Sequence, residues 1–329
     1  YRVVYARLYE FERYMISLGV DVDLNGAPAK PEPQKDIVLQ NSGQIVTSFT
    51  FFAIEHNIDV MHRLGTERQF GNILEAARSE KDWKNVRAYL NIFNEYSIHL
   101  NHKQKEQTIA FLYELLVNRE GDIRRQSAAL IGKMFADFNA GYRKEIPADM
   151  ADQDDRTALT LWAEALEKII CPDYRLTMQQ KRRIQSSLKY VLLSMTEHSE
   201  ERVREEMLDV FMKWFDGRHG LNEDSTFVLL DAVFSLPEEL YERNGRLDCL
   251  IRFAVGHLDY PENKVRVAAV RALKVLTAAV RPESDCYRLV CDAVRTMRPE
   301  NMTMLFLQYR IYTNLRLDTS EQREILYKS

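Results

Sequence analysis

The sequence predicts an all-α fold of antiparallel helix pairs stacked in series. Three observations predict it. Helical apolar periodicity recurs from about residue 44 to the end of the chain, with no alternating strand pattern of five or more residues. Glycine is scarce, 12 of 329 residues, and proline numbers only 9, so the breaks between helices are few and short. Three of the helices carry one wide apolar stripe behind a β-branched residue followed by arginine, at Ile123-Arg124, Val203-Arg204 and Val265-Arg266.

Each element follows from local pattern. Val4, Leu8, Phe11, Met15 and Leu18 recur at spacings of four and three and predict a helix over 1–20. Asn25-Gly26 and the prolines Pro28, Pro31 and Pro33 break that pattern, so 21–43 reads as a Pro-containing linker or loop. Helices are predicted over 44–64, 68–79, 82–99, 103–118, 122–139, 156–170, 176–197, 201–216, 223–235, 239–258, 262–280, 284–297 and 300–316. Breaks fall at Gly65, Gly121, Gly217-Arg218-His219-Gly220, Pro237 and Pro261. The stretch 141–155, with Asp149, Asp152, Asp154 and Asp155, reads as an acidic loop. It divides a first run of helical repeats, 44–140, from a second, 156–329.

The stripe is an internal repeat. Counted from the β-branched residue, positions 0, 4, 7 and 11 are Ile123, Ser127, Leu130 and Met134 in the first helix. They are Val203, Met207, Val210 and Trp214 in the second, and Val265, Ala269, Ala272 and Leu276 in the third. A parallel row at positions 5, 8 and 12 is also mostly apolar, which is too broad for a two-stranded coiled-coil seam. A helix with such a stripe is buried on two sides, as between neighbours in a stacked array.

This pattern resembles the HEAT-repeat, armadillo-like family of α-solenoids. The resemblance is carried most closely by Leu258-Asp259-Tyr260-Pro261-Glu262-Asn263-Lys264-Val265-Arg266-Val267-Ala268-Ala269, and next by Gly121-Asp122-Ile123-Arg124-Arg125-Gln126-Ser127-Ala128-Ala129-Leu130-Ile131-Gly132. It implies an α-solenoid in which Arg124, Arg204 and Arg266 order the turns between helices. The spacings of the three matches, 80 and 62 residues, depart from the ~40-residue period of such repeats. An irregular array is therefore expected, with a degenerate repeat near Trp162 in the first gap and an extra or broken helix over 223–258.

Composition narrows function. Lys and Arg total 45 and Asp and Glu 49, a formal charge of −4, which argues against a general nucleic-acid binder. No apolar run is long enough to span a membrane, and Tyr1–Tyr14 has no leader-peptide pattern. Cys171, Cys249, Cys286 and Cys291 form no CxxC pair and read as isolated thiols of a reducing compartment, so a cytoplasmic protein is expected.

No phosphate-binding, dinucleotide-binding or hydrolase motif is present, and no metal or cofactor is expected. His99 and His102, and the set Glu55, Asp59 and His62, lack the further ligands a metal needs. Tyr89, Phe93 and Tyr96 share one helix face and are expected to pack in the core. The one charge cluster is basic, and Lys264, Arg271, Lys274, Arg281 and Arg288 form a candidate patch for an acidic partner.

The expected function is a non-catalytic protein-interaction scaffold or adaptor. Two alternatives stand beside it. One is a regulatory or recruiting region of a larger multidomain enzyme, motivated by the missing motifs and the start at Tyr1. The other is a HEAT-like DNA-binding glycosylase, against which the net charge counts.

Overall fold

A computed structural model describes residues 67–138, 148–241 and 245–328. The helix expected over 1–20, the linker 21–43, the helix 44–64 and its Glu55, Asp59 and His62 lie outside the described residues. The described chain is helical throughout, without a strand. Its helices are α1 (Glu67–Ser79), α2 (Trp83–Tyr96), α3 (His102–Leu115), α4 (Gly121–Ala136), α5 (Ala148–Ile170), α6 (Met178–Ser186), α7 (Leu188–His198), α8 (Glu201–Met212), α9 (Glu223–Ser235), α10 (Arg246–Val255), α11 (Asn263–Leu276), α12 (Asp285–Thr296), α13 (Met302–Asn314) and α14 (Ser320–Lys328).

Four elements differ from the sequence reading. The helix expected over 176–197 is two, α6 and α7, parted at Ser187. The acidic stretch is not a loop from Ala148 onward, because α5 begins there. Carboxylates are favourable in the first turns of a helix, where they meet the positive end of its dipole. The helix expected over 239–258 is broken into a short 3-10 turn, Glu238–Leu240, and α10. The break is at Gly245, whose φ of 71° lies in the left-handed region that glycine enters freely. Helix α14 lies beyond the last helix anticipated.

The backbone packs as two units. Of the described residues, the first takes in those up to Trp162 together with Thr177–Arg204, and the second Ala163–Leu176 together with those from Glu205 onward.

In the first unit α1 packs on α3 and α2 on α4, so first helices of successive pairs adjoin one another and second helices do likewise. Trp83 and Gly121, at the starts of α2 and α4, are 38 residues apart. The helix starts are capped as their sequences require. Asp82 accepts from the Lys84 amide, and Asn101 and Gln104 bond each other's backbone in a reciprocal cap. An aromatic column joins the layers: Phe93 meets Phe70 and Phe111 edge-on at 6.2 and 6.0 Å, and Phe135 meets Trp162 at 5.2 Å. Tyr89, Phe93 and Phe111 are all buried core residues. Helix α4 makes its most extensive contact with α7.

Lys105 is the unusual member of this core, with no accessible surface. Its Nζ donates to the carbonyls of Asp137 and Phe138, just past the C-terminus of α4. A cation there meets the negative end of the helix dipole and two orphan carbonyls. Ser97 Oγ holds the Asp137 carboxylate at 3.0 Å. Burial nevertheless pushes the Lys105 ammonium down to about 8, against the pull of Asp137.

The folded chain thus releases this proton from about pH 8, whereas an unfolded lysine holds it to about 10.5. Between those values the folded state binds fewer protons, so stability rises with pH. Relative to Lys105→Met, the wild-type chain gains about 3 kcal/mol between pH 7.5 and pH 10.5. Paired urea unfolding curves across that range measure it, and a stability difference that stays constant with pH would contradict it.

In the second unit, α9, α11 and α13 form one layer, and α10 packs on α12 in the other. Helix α8 joins the latter through α10. Arg246 of α10, 3% exposed, bonds Glu205 at 2.7 Å and Asp209 at 2.9 Å on α8, and Phe253 meets Phe215 at 4.9 Å. Arg246 also donates to the Leu240 carbonyl at 3.1 Å. Replacing Arg246 by Ala leaves the two carboxylates facing each other over a cavity. We expect a loss of about 2–3 kcal/mol, discounted for the solvent exposure of Asp209. Chemical unfolding measures the loss, and Arg246→Lys recovers only part of it because one ammonium cannot span three acceptors.

Helices α9, α11 and α13 start at Glu223, Asn263 and Met302, 40 and 39 residues apart. In that register the buried positions coincide. Ser225, Val265 and Met304 are equivalent and buried, as are Ala232, Ala272 and Ile311, and Leu236, Leu276 and Leu315. The period of a HEAT-like repeat is therefore present. The 62-residue spacing arises because Val203-Arg204 lies on α8, in the first-helix layer, while Val265-Arg266 lies on α11, in the second. The Val-Arg pair matches a second helix only at α4 and α11; the equivalents of Arg266 are Thr226 and Leu305.

Candidate interaction surface

The two repeat arginines on second helices make the same bonds. Arg124 Nη1 donates to the carbonyls of Asn118 and Arg119, at 2.7 and 2.8 Å. Arg266 Nη1 donates to those of Tyr260 and Pro261, both at 2.6 Å. In each the acceptors are six and five residues back, in the turn before the helix. Arg204 differs: its Nη1 reaches the Thr196 carbonyl, eight residues back, at 3.2 Å.

The layer of α9, α11 and α13 is held in register by side chains at both ends. Lys264 at the start of α11 binds Glu223 and Asp224 at the start of α9, both at 2.6 Å. Burial opposes the Lys264 charge, but hydrogen bonds to Asp224 and Glu223 outweigh it and raise its pKa. Arg266 binds Glu300, ahead of α13, at 2.6 Å. That contact holds the Arg266 guanidinium above its usual range and the Glu300 carboxyl below its own. Asn314 at the end of α13 donates to the Lys274 carbonyl and Thr277 Oγ1, at 2.9 and 3.1 Å. The three helices therefore run in one direction.

Their outward residues form rows across the layer. One row is Phe227, Val267 and Phe306; the next is Asp231, Arg271 and Arg310; the third is Phe234, Lys274 and Thr313. Phe306 is 50% exposed, a large apolar side chain in water. The Arg271 guanidinium lies 4.3 Å from the Phe234 ring centroid, a cation–π contact across to α9. No carboxylate among the described residues pairs with Arg271, Lys274 or Arg310.

The five residues expected as one basic patch are thus separated. Lys264, Arg271 and Lys274 lie on α11, and Lys264 is neutralised by α9. Arg281 is exposed in the segment after α11. Arg288 is on the exposed side of α12, in the opposite layer, where Asp285 and Asp292 lie one turn away on each side. Arg310 was missed, since it lies outside the charge-dense stretch 264–298. Only the 39-residue register places it beside Arg271.

Other candidate features are structural. In the turn Gly217-Arg218-His219-Gly220 the His219 ring stacks on Trp214 at 4.0 Å, and Arg218 pairs with Asp216 at 3.4 Å. The four cysteines are free thiols, with Cys286 and Cys291 buried. Among the described residues no group of three or more His, Cys, Asp or Glu is placed to hold a metal ion, and no helix is long and apolar enough to cross a membrane.

Paired helices, at a 39- to 40-residue period through α9, α11 and α13, make the described chain an all-α helical repeat with the period of armadillo- and HEAT-like repeats. Solved structures similar to the chain include engineered and designed proteins. One engineered protein is 11% identical over 75% of this chain and 96% of its own, at a TM-score of 0.36. A second is 11% identical over 97% of this chain and 81% of its own, at 0.34. A designed armadillo repeat protein is 11% identical over 81% of this chain and 99% of its own, at 0.31. No family model and no curated protein matches the sequence.

Proposed function

We propose that the protein is a non-catalytic interaction scaffold that presents the outward face of α9, α11 and α13 to a protein partner. The observation that carries this reading is the exposed Phe306 beside three cations, Arg271, Lys274 and Arg310, that pair with no carboxylate among the described residues. Isolated exposed apolar residues need no explanation, but aromatic and arginine side chains together on one face are the composition of interface centres. Arg124, Arg204 and Arg266 serve the fold in this reading, holding turns rather than ligand.

Site-specific photo-crosslinking in the cells that make the protein tests it. A crosslinker at Thr303 or Thr313, on the exposed side of α13, captures a discrete partner, whereas one at Asp292 on α12 does not. Equal capture from both layers, or none from α13, overturns the proposal.

A further inference from the structure

We infer that the partner binds through an acidic, extended segment that crosses α11 and α13, with its carboxylates on Arg271, Lys274 and Arg310 and an apolar side chain on Phe306. This rests on the scaffold reading above and adds the chemistry of the partner to it.

Charge accounting separates the cations that hold the fold from those left for a ligand. Lys264 and Arg266 are taken up by Glu223, Asp224 and Glu300. Arg271 has an aromatic neighbour, and among the described residues no carboxylate forms an ion pair with Arg271, Lys274 or Arg310. Arg310 is exposed, and Arg271 and Lys274 are half-buried, so their heads reach solvent from anchored stems. A half-buried arginine set on a ring gives up less conformational freedom on binding than a free one.

Geometry sets the form of the ligand. Arg271 and Arg310 occupy the same level on neighbouring helices, whose axes at contact are roughly 8–10 Å apart. Three residues of an extended polyproline-II backbone span about 9 Å and return the side chain to the same face. Carboxylates three positions apart therefore reach both arginines, and Lys274 lies one turn further along α11. The residues between them pass the row of Val267 and Phe306, which takes an apolar side chain. Asp231 closes the same row on α9, so the acidic part of the segment lies over α11 and α13.

A nucleic-acid backbone fits less well. It brings a charge at every residue, whereas this face offers three cations bordered by Glu223, Asp224, Asp231 and Glu300. Phosphate binding gains from many counterions released at once, and a three-cation face gains little.

The test uses the full chain and a fluorescein-labelled twelve-residue peptide with Glu at every third position and Leu and Ser between. Fluorescence anisotropy should show binding that weakens as salt rises. Arg271→Glu, Lys274→Glu and Arg310→Glu should each weaken it about tenfold. Arg281→Glu and Arg288→Glu, which change charge off this face, should leave it unchanged. Circular dichroism of each variant reports whether the helices remain.

The inference is overturned if the peptide does not bind, if a Lys-for-Glu peptide binds as well, if the off-face variants weaken binding equally, or if a single-stranded oligonucleotide of equal length binds more tightly. The crosslink at Thr303 separates the two readings. Capture that survives the Arg271→Glu, Arg310→Glu double substitution overturns the acidic segment and keeps the scaffold. Loss of all capture in the wild-type chain overturns the scaffold.

Discussion

Ala272→Asp should unfold the second helical unit under conditions where the wild-type chain is stable. Ala272 has no accessible surface and stands on α11 at the position occupied by Ala232 on α9 and Ile311 on α13. Helix α11 packs on both of these helices and on α10, so the new carboxylate cannot reach water. Arg246, the buried cation of this unit among the described residues, is already held by Glu205 and Asp209. The side chain must remain charged without a partner or take up a proton, and its added volume must force helices apart. The combined cost is about 4 kcal/mol or more, a large fraction of the stability of an ordinary domain. Ala278→Asp provides the control, since it adds the same charge at an exposed position just past α11. It should change stability by no more than about 0.5 kcal/mol. Thermal and urea unfolding of the two variants decide the matter. Equal stability would mean that the apolar stripe of α11 does not face the core.

The same stripe shows how much of the fold the sequence carries. Most helices begin and end within a few residues of where periodicity, glycine and proline place them, because burial of a wide apolar face is a local pattern. The phase of the repeat was harder to read. The Val-Arg pair drew α8 into line with α4 and α11, although α8 belongs to the other layer. The pattern to follow was the set of small or apolar residues at Ser225, Val265 and Met304 and their successors, which vary in identity from repeat to repeat. Arg266 stands out in sequence because it holds a turn, a task that α9 and α13 perform without it.

Charge was legible as composition and not as placement. Lys264 and Arg266 look like their neighbours until Glu223, Asp224 and Glu300 are brought beside them, from 41, 40 and 34 residues away. Arg310 gains meaning only from register. Lys105 could not have been found, since a lysine in an amphipathic helix ordinarily faces water. Its partner carbonyls lie 32 and 33 residues further along the chain.

Gly132→Ala should be among the most damaging substitutions of the first unit, although alanine is the better helix former by about 1 kcal/mol. Gly132 lies in α4 where α7 crosses it. A β-carbon there would stand 2.2 Å from the Val191 carbonyl oxygen and 2.8 Å from the Met195 amide nitrogen. Both are backbone atoms inside a regular helix, so no side chain can rotate away. Relief requires the whole of α7 to withdraw, and that also strains the bond from Ser194 Oγ to the Ala129 carbonyl at the same crossing. Overpacking of this kind costs roughly 3 kcal/mol, which exceeds the propensity gain. Gly71 offers the opposite case. It lies within α1, and an added β-carbon there meets nothing within 4 Å. Gly71→Ala should therefore stabilise the chain by about 0.5–1 kcal/mol through backbone entropy and propensity alone. The two glycines are chemically identical changes in helices of one unit, and urea unfolding should move in opposite directions for them. A shift of the same sign in both would mean that α4 and α7 do not meet at Gly132. Ala128, Ala129 and Gly132, spaced three and four apart on one helical face, carry this crossing in the sequence, where small side chains permit two backbones to approach.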